Sequence, residues 1–254
     1  MVLIKYSLDI LGVLFCAELF YIAFAYTNSL FISTKKEYNK NSKYFRGLLY
    51  SGSWEMIYFS GSRPRVTGKE KLPKDSRFVI VCNHRSNFDP VITWYALRKY
   101  DLAYISKPEN FNVFTYGKII RRCCFIPLIR GNPRLAIPVF DRAVNLINDD
   151  QVSIGIYPEG TRSKTCELLP FHNGVFKIAQ RAQVPVVVAC IQGTENIHKN
   201  FPFKKTPVQL DILDVIPAEK VVSQRTCELG DYCRKLMENR LAETQNNLQG
   251  KNKA

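Results

Sequence analysis

From about Gly68 the chain alternates short runs dense in Val and Ile with longer stretches whose apolar positions recur at helical spacing. The runs 77–82, 102–106, 123–128, 152–157, 185–191 and 208–215 are nearly continuous in hydrophobicity. That is the pattern of strands covered on both faces, and strands are predicted there. Helices are predicted over 90–100, 111–121, 134–148, 173–182 and 224–246. In the last of these, Leu229, Tyr232, Cys233, Leu236, Met237 and Leu241 form one stripe with charges elsewhere, so this helix should pack on the sheet. Pro138 either kinks the 134–148 helix or marks its true start. The alternation implies an α/β fold, a mixed but mostly parallel sheet flanked by helices.

The first sixty residues have another character. Leu8 to Ile32 is mostly apolar and aromatic, but Asp9, Glu18 and Asn28 interrupt it. A clean span needs about 20 apolar residues, and a carboxylate at mid-bilayer costs a few kcal/mol. Lys35, Lys36, Lys40, Lys43 and Arg46 come next, overlapping a second apolar-aromatic segment, Tyr44 to Phe59, that carries Trp54 and Tyr58. The expectation is a two-helix membrane-association segment over 1–60, seated on or partly in a bilayer. A single tilted span is the rival, and an ordinary buried helix the plainest alternative. Positive charge just after the first segment puts the main domain on the cytosolic face. Only Lys5 marks a basic start and no small-residue cleavage site follows, unlike a secretory signal. An α/β domain over 61–248 and a polar tail over 249–254 complete the expected organisation.

Charge narrows the choice of partner. Lys and Arg number 36 against 22 Asp and Glu, a net charge of +14. Such a surface attracts nucleic acid, an anionic membrane or an acidic substrate. Zinc-finger spacing, an RNP-like aromatic run and a basic helix feeding a zipper are all lacking, so no nucleic acid partner is expected. The eight cysteines form no C-x-x-C pair and several sit inside apolar runs, which suits reduced thiols in a cytosol-facing protein. Three histidines far apart in sequence point to no metal site.

The candidate chemistry begins at Asn83-His84-Arg85-Ser86-Asn87-Phe88-Asp89, just after an apolar run ending in Cys82. An imidazole can take a proton from an alcohol and return it, and a carboxylate can fix its tautomer. Positions i and i+5 lie on different faces of a helix, so His84 and Asp89 meet only if the chain bends between them. Asp89-Pro90 also fits a plain helix start, with Asp as N-cap and Pro at the first helical position. Strand 152–157 runs into Tyr157-Pro158-Glu159-Gly160-Thr161-Arg162-Ser163. There Gly160 allows close backbone approach, Thr161 offers a hydroxyl and Arg162 a fork for phosphate oxygens. Glu159 is placed to hold that guanidinium or to bind a substrate hydroxyl. Arg130 and Lys107 stand beyond two further strands. Ligands of open α/β folds gather at such strand ends, and Lys107, Arg130 and Arg162 are expected to form one phosphate pocket beside His84.

Together these segments resemble the glycerolipid acyltransferases, the family that includes the 1-acylglycerol-3-phosphate (lysophosphatidic acid) acyltransferases. N-H-R-S-N-F-D is similar to that family's NHxxxxD block, Phe125 to Arg130 to its second, Tyr157 to Arg162 to its third, and Val184 to Val187 to its fourth. The likeness runs in order from about Gly68 to Val215. Two departures fall in the second block: Cys124 stands where a glycine is usual, and Ile129 where an acidic residue is frequent. His172 and Asn173 occupy positions where lysines are common. The resemblance implies acyl transfer from acyl-CoA or acyl-carrier protein to the sn-2 hydroxyl of a lysophospholipid. His84 would be the base, Asp89 its orienting partner, and Lys107, Arg130, Glu159, Gly160, Thr161 and Arg162 the substrate-binding set, with no resident cofactor. Glycerol-3-phosphate or another lysophospholipid as acceptor, or a non-catalytic membrane-binding module, stays open at this point.

Overall fold

The computed structural model describes residues 2–129, 131 and 133–251. A helical pair, α1 (Val2–Leu30) and α2 (Lys43–Phe59), precedes a domain in which strands and helices alternate. The strands are β1 (Ser62–Thr67), β2 (Val79–Cys82), β3 (Ala103–Ser106), β4 (Ile126–Pro127), β5 (Ile154–Ile156), β6 (Val186–Gln192) and β7 (Thr206–Ile216). The helices of the domain are α3 (Phe88–Ala96), α4 (Phe114–Arg122), α5 (Pro133–Asn148), α6 (Lys177–Ala182), α7 (Ile197–Asn200), α8 (Ala218–Ser223) and α9 (Thr226–Lys251).

The described strands form one sheet in the order β1-β7-β6-β2-β5-β3-β4. From β6 to β4 every neighbour is parallel. Only β7 runs against β6, and β1 pairs parallel with β7. This is the mixed, mostly parallel sheet the pattern implied. Every residue of β2 and β6 is buried, because helices cover both faces.

Several elements depart from expectation. Strand β1 reads Ser-Arg-Pro-Arg-Val-Thr and has no apolar run to announce it. It lies at the sheet edge, where proline costs no ladder bond on its solvent side and most side chains face water. The predicted strand 123–128 shrinks to two residues, since Cys123 and Cys124 lie in a turn whose backbone is left-handed at Cys124 (φ 61°). Their apolar surface is buried, but as core-filling loop. Pro138 lies within α5 and does not begin it. Helix α9 continues through Lys251 into the expected polar tail, and residues 252–254 lie outside the described set.

The helical pair is an antiparallel hairpin packed onto the domain. Tyr44 donates from its hydroxyl to Asn28 Oδ1 (2.8 Å), while Tyr21 and Ser51 share a hydroxyl hydrogen bond of 2.6 Å. Ser42 caps α2 by accepting from the Phe45 amide. Below it Arg46 is buried, donating to Asn41 Oδ1, Leu102 O and Cys123 O, each at 2.8 Å. Trp94 of α3 donates to Ser53 Oγ of α2 at 2.6 Å, and Leu49 and Ile57 join the core. Among the described residues no helix is long and apolar enough to cross a membrane.

Candidate active site

Strands β2, β3 and β5 are parallel, so the loops that follow them open at one end of the sheet. The loop after β2 carries His84. Asn83 pins this loop to β6, donating to Ile191 O (2.9 Å) and accepting from the Ile191 amide (2.7 Å). The loop after β5 laces to it from both sides of His84. Glu159 accepts the His84 amide at 2.7 Å, and the Ser163 amide donates to His84 O at 2.9 Å.

The chain bends between His84 and Asp89, and the two side chains meet. His84 Nδ1 lies 2.8 Å from Asp89 Oδ2. The same oxygen accepts the Arg85 and Ser86 amides at 2.6 and 2.7 Å, and Thr194 donates its hydroxyl to Oδ1. Asp89 is therefore not the helix cap: α3 starts at Phe88 after Asn87, and the carboxylate turns back into the preceding loop. A carboxylate only accepts, so Nδ1 must carry the hydrogen, and the Nε2 lone pair is left as the base. Nε2 has no protein partner among the described residues, and the half-buried imidazole borders a cavity. Its ring stacks on Tyr157 (centroids 4.2 Å apart, 19° between planes), and Tyr157 stacks in turn on Tyr104. Burial pushes both phenols above their ordinary range, so they remain neutral beside the imidazole. Gly155 makes this column possible, because a Cβ there would come within 2.5 Å of the Tyr104 ring.

The cavity, about 1580 Å³, has two characters. Toward the helical pair its wall is apolar, with Ile22 and Ala25 of α1, Leu49 and Met56 of α2, and Trp94, which bonds to Ser53 of α2. The strand-end loops add Lys107, Gly160, Thr161 and Arg162, and α6 adds Lys177 and Arg181, the latter paired with Asp141 at 2.6 Å. His84 lies among them. Lys107 and Arg162 are exposed side chains at the strand ends where the sequence placed them. Gly160 takes a left-handed conformation (φ 68°) with His172 packed over it, and a Cβ there would approach the His172 ring to 2.9 Å.

Glu159 needs correction. It neither holds Arg162 nor faces the cavity; its two oxygens accept the main-chain amides of His84 and Leu169, and the side chain is buried. Burial raises its carboxyl above the usual range, with those two amides pulling the other way. It is a brace between the two loops. Arg130 lies outside the described residues. Thr194, Tyr104 and Gly155 were missed because none belongs to a motif; each acts by contact across strands distant in sequence.

The family model for Acyltransferase matches residues 63–192, just over half of the chain, and the chain belongs to that family. It is an O-acyltransferase by that membership. It is 29% identical over 179 residues to the 1-acyl-sn-glycerol-3-phosphate acyltransferase of Haemophilus influenzae, covering 69% of this chain and 74% of that one. It is 33% identical over 129 residues to the protein of the same name in Bacillus subtilis, covering 51% and 62%. The fold matches the crystal structure of the 1-acyl-sn-glycerophosphate (LPA) acyltransferase from Thermotoga maritima with a TM-score of 0.68, covering 96% of this chain and 98% of that chain at 24% identity.

Proposed function

We propose that this acyltransferase moves a fatty acyl group from a thioester, acyl-CoA or acyl-carrier protein, to the sn-2 hydroxyl of 1-acylglycerol-3-phosphate, giving phosphatidic acid. The observation that carries the reading is a histidine base, oriented by a buried carboxylate, at the wall of a cavity that is apolar on one side and cationic on the other. A lysophosphatidic acid has those same two halves. Its acyl chain suits the wall of α1, α2 and Trp94, while its phosphate suits Lys107, Arg162 and their neighbours.

In this scheme His84 Nε2 takes the hydroxyl proton as the oxygen attacks the thioester carbonyl. The tetrahedral intermediate then collapses, the C–S bond breaks, and the imidazolium returns its proton to the departing thiolate. General-base action of this kind is worth about 10²–10⁴ in rate, with positioning supplying much of the rest. The thioester is already activated, so the scheme calls for no resident cofactor. An anionic bilayer is the proposed source of the acceptor and the surface on which the basic chain works.

The test is mass spectrometry of products formed by purified protein offered a panel of lysolipids and glycerol-3-phosphate with both donors. Phosphatidic acid should dominate. A product made only from glycerol-3-phosphate or from a lysolipid lacking the phosphomonoester would replace the acceptor assignment. Turnover retained by His84→Ala would remove the mechanism.

A further inference from the structure

The end of the sheet that carries His84 also carries a surface that plays no part in the cavity. Strand β7 is antiparallel to β6, with Gln192 paired to Gln209, so β7 begins at the end where β6 finishes. Strand β1 pairs parallel with β7, Ser62 opposite Thr206, so the C-terminus of α2 arrives at the same end. The segment between α7 and β7 therefore lies beside the last turn of α2, and the Thr206 amide donates to Gly61 O at 3.0 Å. Helix α7, which leads into the segment, touches the start of α3, where His198 packs edge-on against Phe88.

This segment is built unlike a solvent loop. Residues 201–205, Phe-Pro-Phe-Lys-Lys, are all exposed, with Phe203 at 93% and Phe201 at 53%. Phe59 and Tyr58 at the end of α2 are exposed next to it. Lys204 and Lys205 on the segment, Lys199 in α7 just before it, and Arg63 and Arg65 on the adjoining strand β1 add five cations, and none of the five forms an ion pair among the described residues. No acidic residue interrupts 196–206. The hairpin register, Tyr44 with Asn28 and Tyr21 with Ser51, brings α1 past the end of α2 here, so that about ten residues of its backbone project on the same side, roughly 15 Å.

We infer that the 198–205 stretch, from α7 to the start of β7, with Tyr58, Phe59, Arg63 and Arg65, is a second contact with an anionic lipid bilayer, which turns the catalytic end of the sheet toward the headgroups. Aromatic rings inserted at the headgroup level and cations held above anionic lipid are the chemistry of such a contact. The inference rests on the reading of a bilayer-borne acceptor, but it is tested without turnover. In the full chain carrying Trp54→Phe and Phe203→Trp, read against the Trp54→Phe parent so that the Trp94 signal is subtracted, anionic vesicles with brominated acyl chains should quench and blue-shift the added indole, and neutral vesicles should do so weakly. Lys204→Gln with Lys205→Gln should weaken that response by roughly tenfold or more in vesicle concentration. An indole at 203 that stays unquenched while the protein sediments with the vesicles overturns the inference. So does a loop that responds to a lipid-free polyanion such as an oligonucleotide and not to vesicles. Loss of acyl transfer in wild-type protein with quenching intact would strike the acceptor reading and leave this surface standing.

Discussion

Replacing Asp89 by asparagine tests whether the carboxylate acts by charge or by orientation. Asp89 Oδ2 faces three donors, the His84 ring and the amides of Arg85 and Ser86. An asparagine amide nitrogen set there would oppose all three, so the amide oxygen must take that place. The nitrogen then faces Thr194, whose hydroxyl can rotate to accept. The imidazole keeps its tautomer, and only the charge is lost. At about 4 Å between charge centres and an effective dielectric near 20, the lost attraction for a forming imidazolium is about 4 kcal/mol. The neutral acceptor returns about 1 kcal/mol. A net of about 3 kcal/mol corresponds to a fall in kcat of roughly 10²-fold. Because charged acceptors at two amides become neutral ones, stability should drop by about 1–2 kcal/mol. Radiolabelled acyl transfer into lysophosphatidic acid in mixed micelles measures the first, and a thermal melt the second. A loss under about fivefold would mean that the carboxylate is a structural cap. A loss as deep as that of His84→Ala, with the melt preserved, would mean that the tautomer does flip.

Other outcomes follow from the same geometry. Arg162→Ala should raise KM for a phosphorylated acceptor about tenfold or more with little change in kcat, since the proposed phosphate contact at the cavity wall would be lost; an unchanged KM would remove Arg162 from the site. Arg46→Met leaves Leu102 O and Cys123 O unpaired and should cost about 2–4 kcal/mol, seen as a lower Tm and early proteolysis between α1 and α2, and Arg46→Lys should not restore it because an ammonium cannot match the guanidinium fork. Gly160→Ala forces a side chain into left-handed backbone and against His172, and should lower stability by about 1–2 kcal/mol. Burial pushes the thiols of Cys123, Cys190 and Cys233 up to about 12, so they stay protonated at pH 8, and thiolate is lost further as pH falls. Alkylation of the native protein at pH 8, mapped by mass spectrometry, should therefore mark Cys16 and Cys227, which are exposed, and spare Cys123, Cys190 and Cys233.

Strand positions were legible where burial on both faces leaves a continuous apolar run, as in β2 and β6. Strand β1 was not legible, since an edge strand with arginines and a proline looks like a loop until its partner β7 is known. The pairing of His84 with Asp89 was legible because the two stand five residues apart, on either side of the bend from the loop after β2 into the first turn of α3. Glu159 was misread because its sequence neighbour is Arg162, while its contacts are main-chain amides that a side-chain motif does not reveal. Cys124 shows the converse. The glycine usual at that place in the family suggests a left-handed backbone, and the cysteine here adopts φ 61° regardless, held by burial on all sides.

The packing of α2 joins two roles that the sequence assigned to separate segments. The helix was read as part of a membrane-association segment, yet Leu49 and Met56 line the cavity, Ser53 holds Trp94, and Arg46 ties the helix to the far end of the sheet. Deleting residues 1–60 would therefore open the apolar wall of the site as well as remove the proposed bilayer seat, and loss of activity in such a truncation would not separate the two. The separation lies in the exposed face. Trp54 and Tyr58 stack on each other away from the cavity-lining positions, so Trp54→Ser with Tyr58→Ser should leave transfer to a detergent-dispersed acceptor within about twofold while weakening binding to anionic vesicles. A matching loss in detergent would show that these rings support the cavity, and the proposed seat would then have to lie elsewhere on the chain.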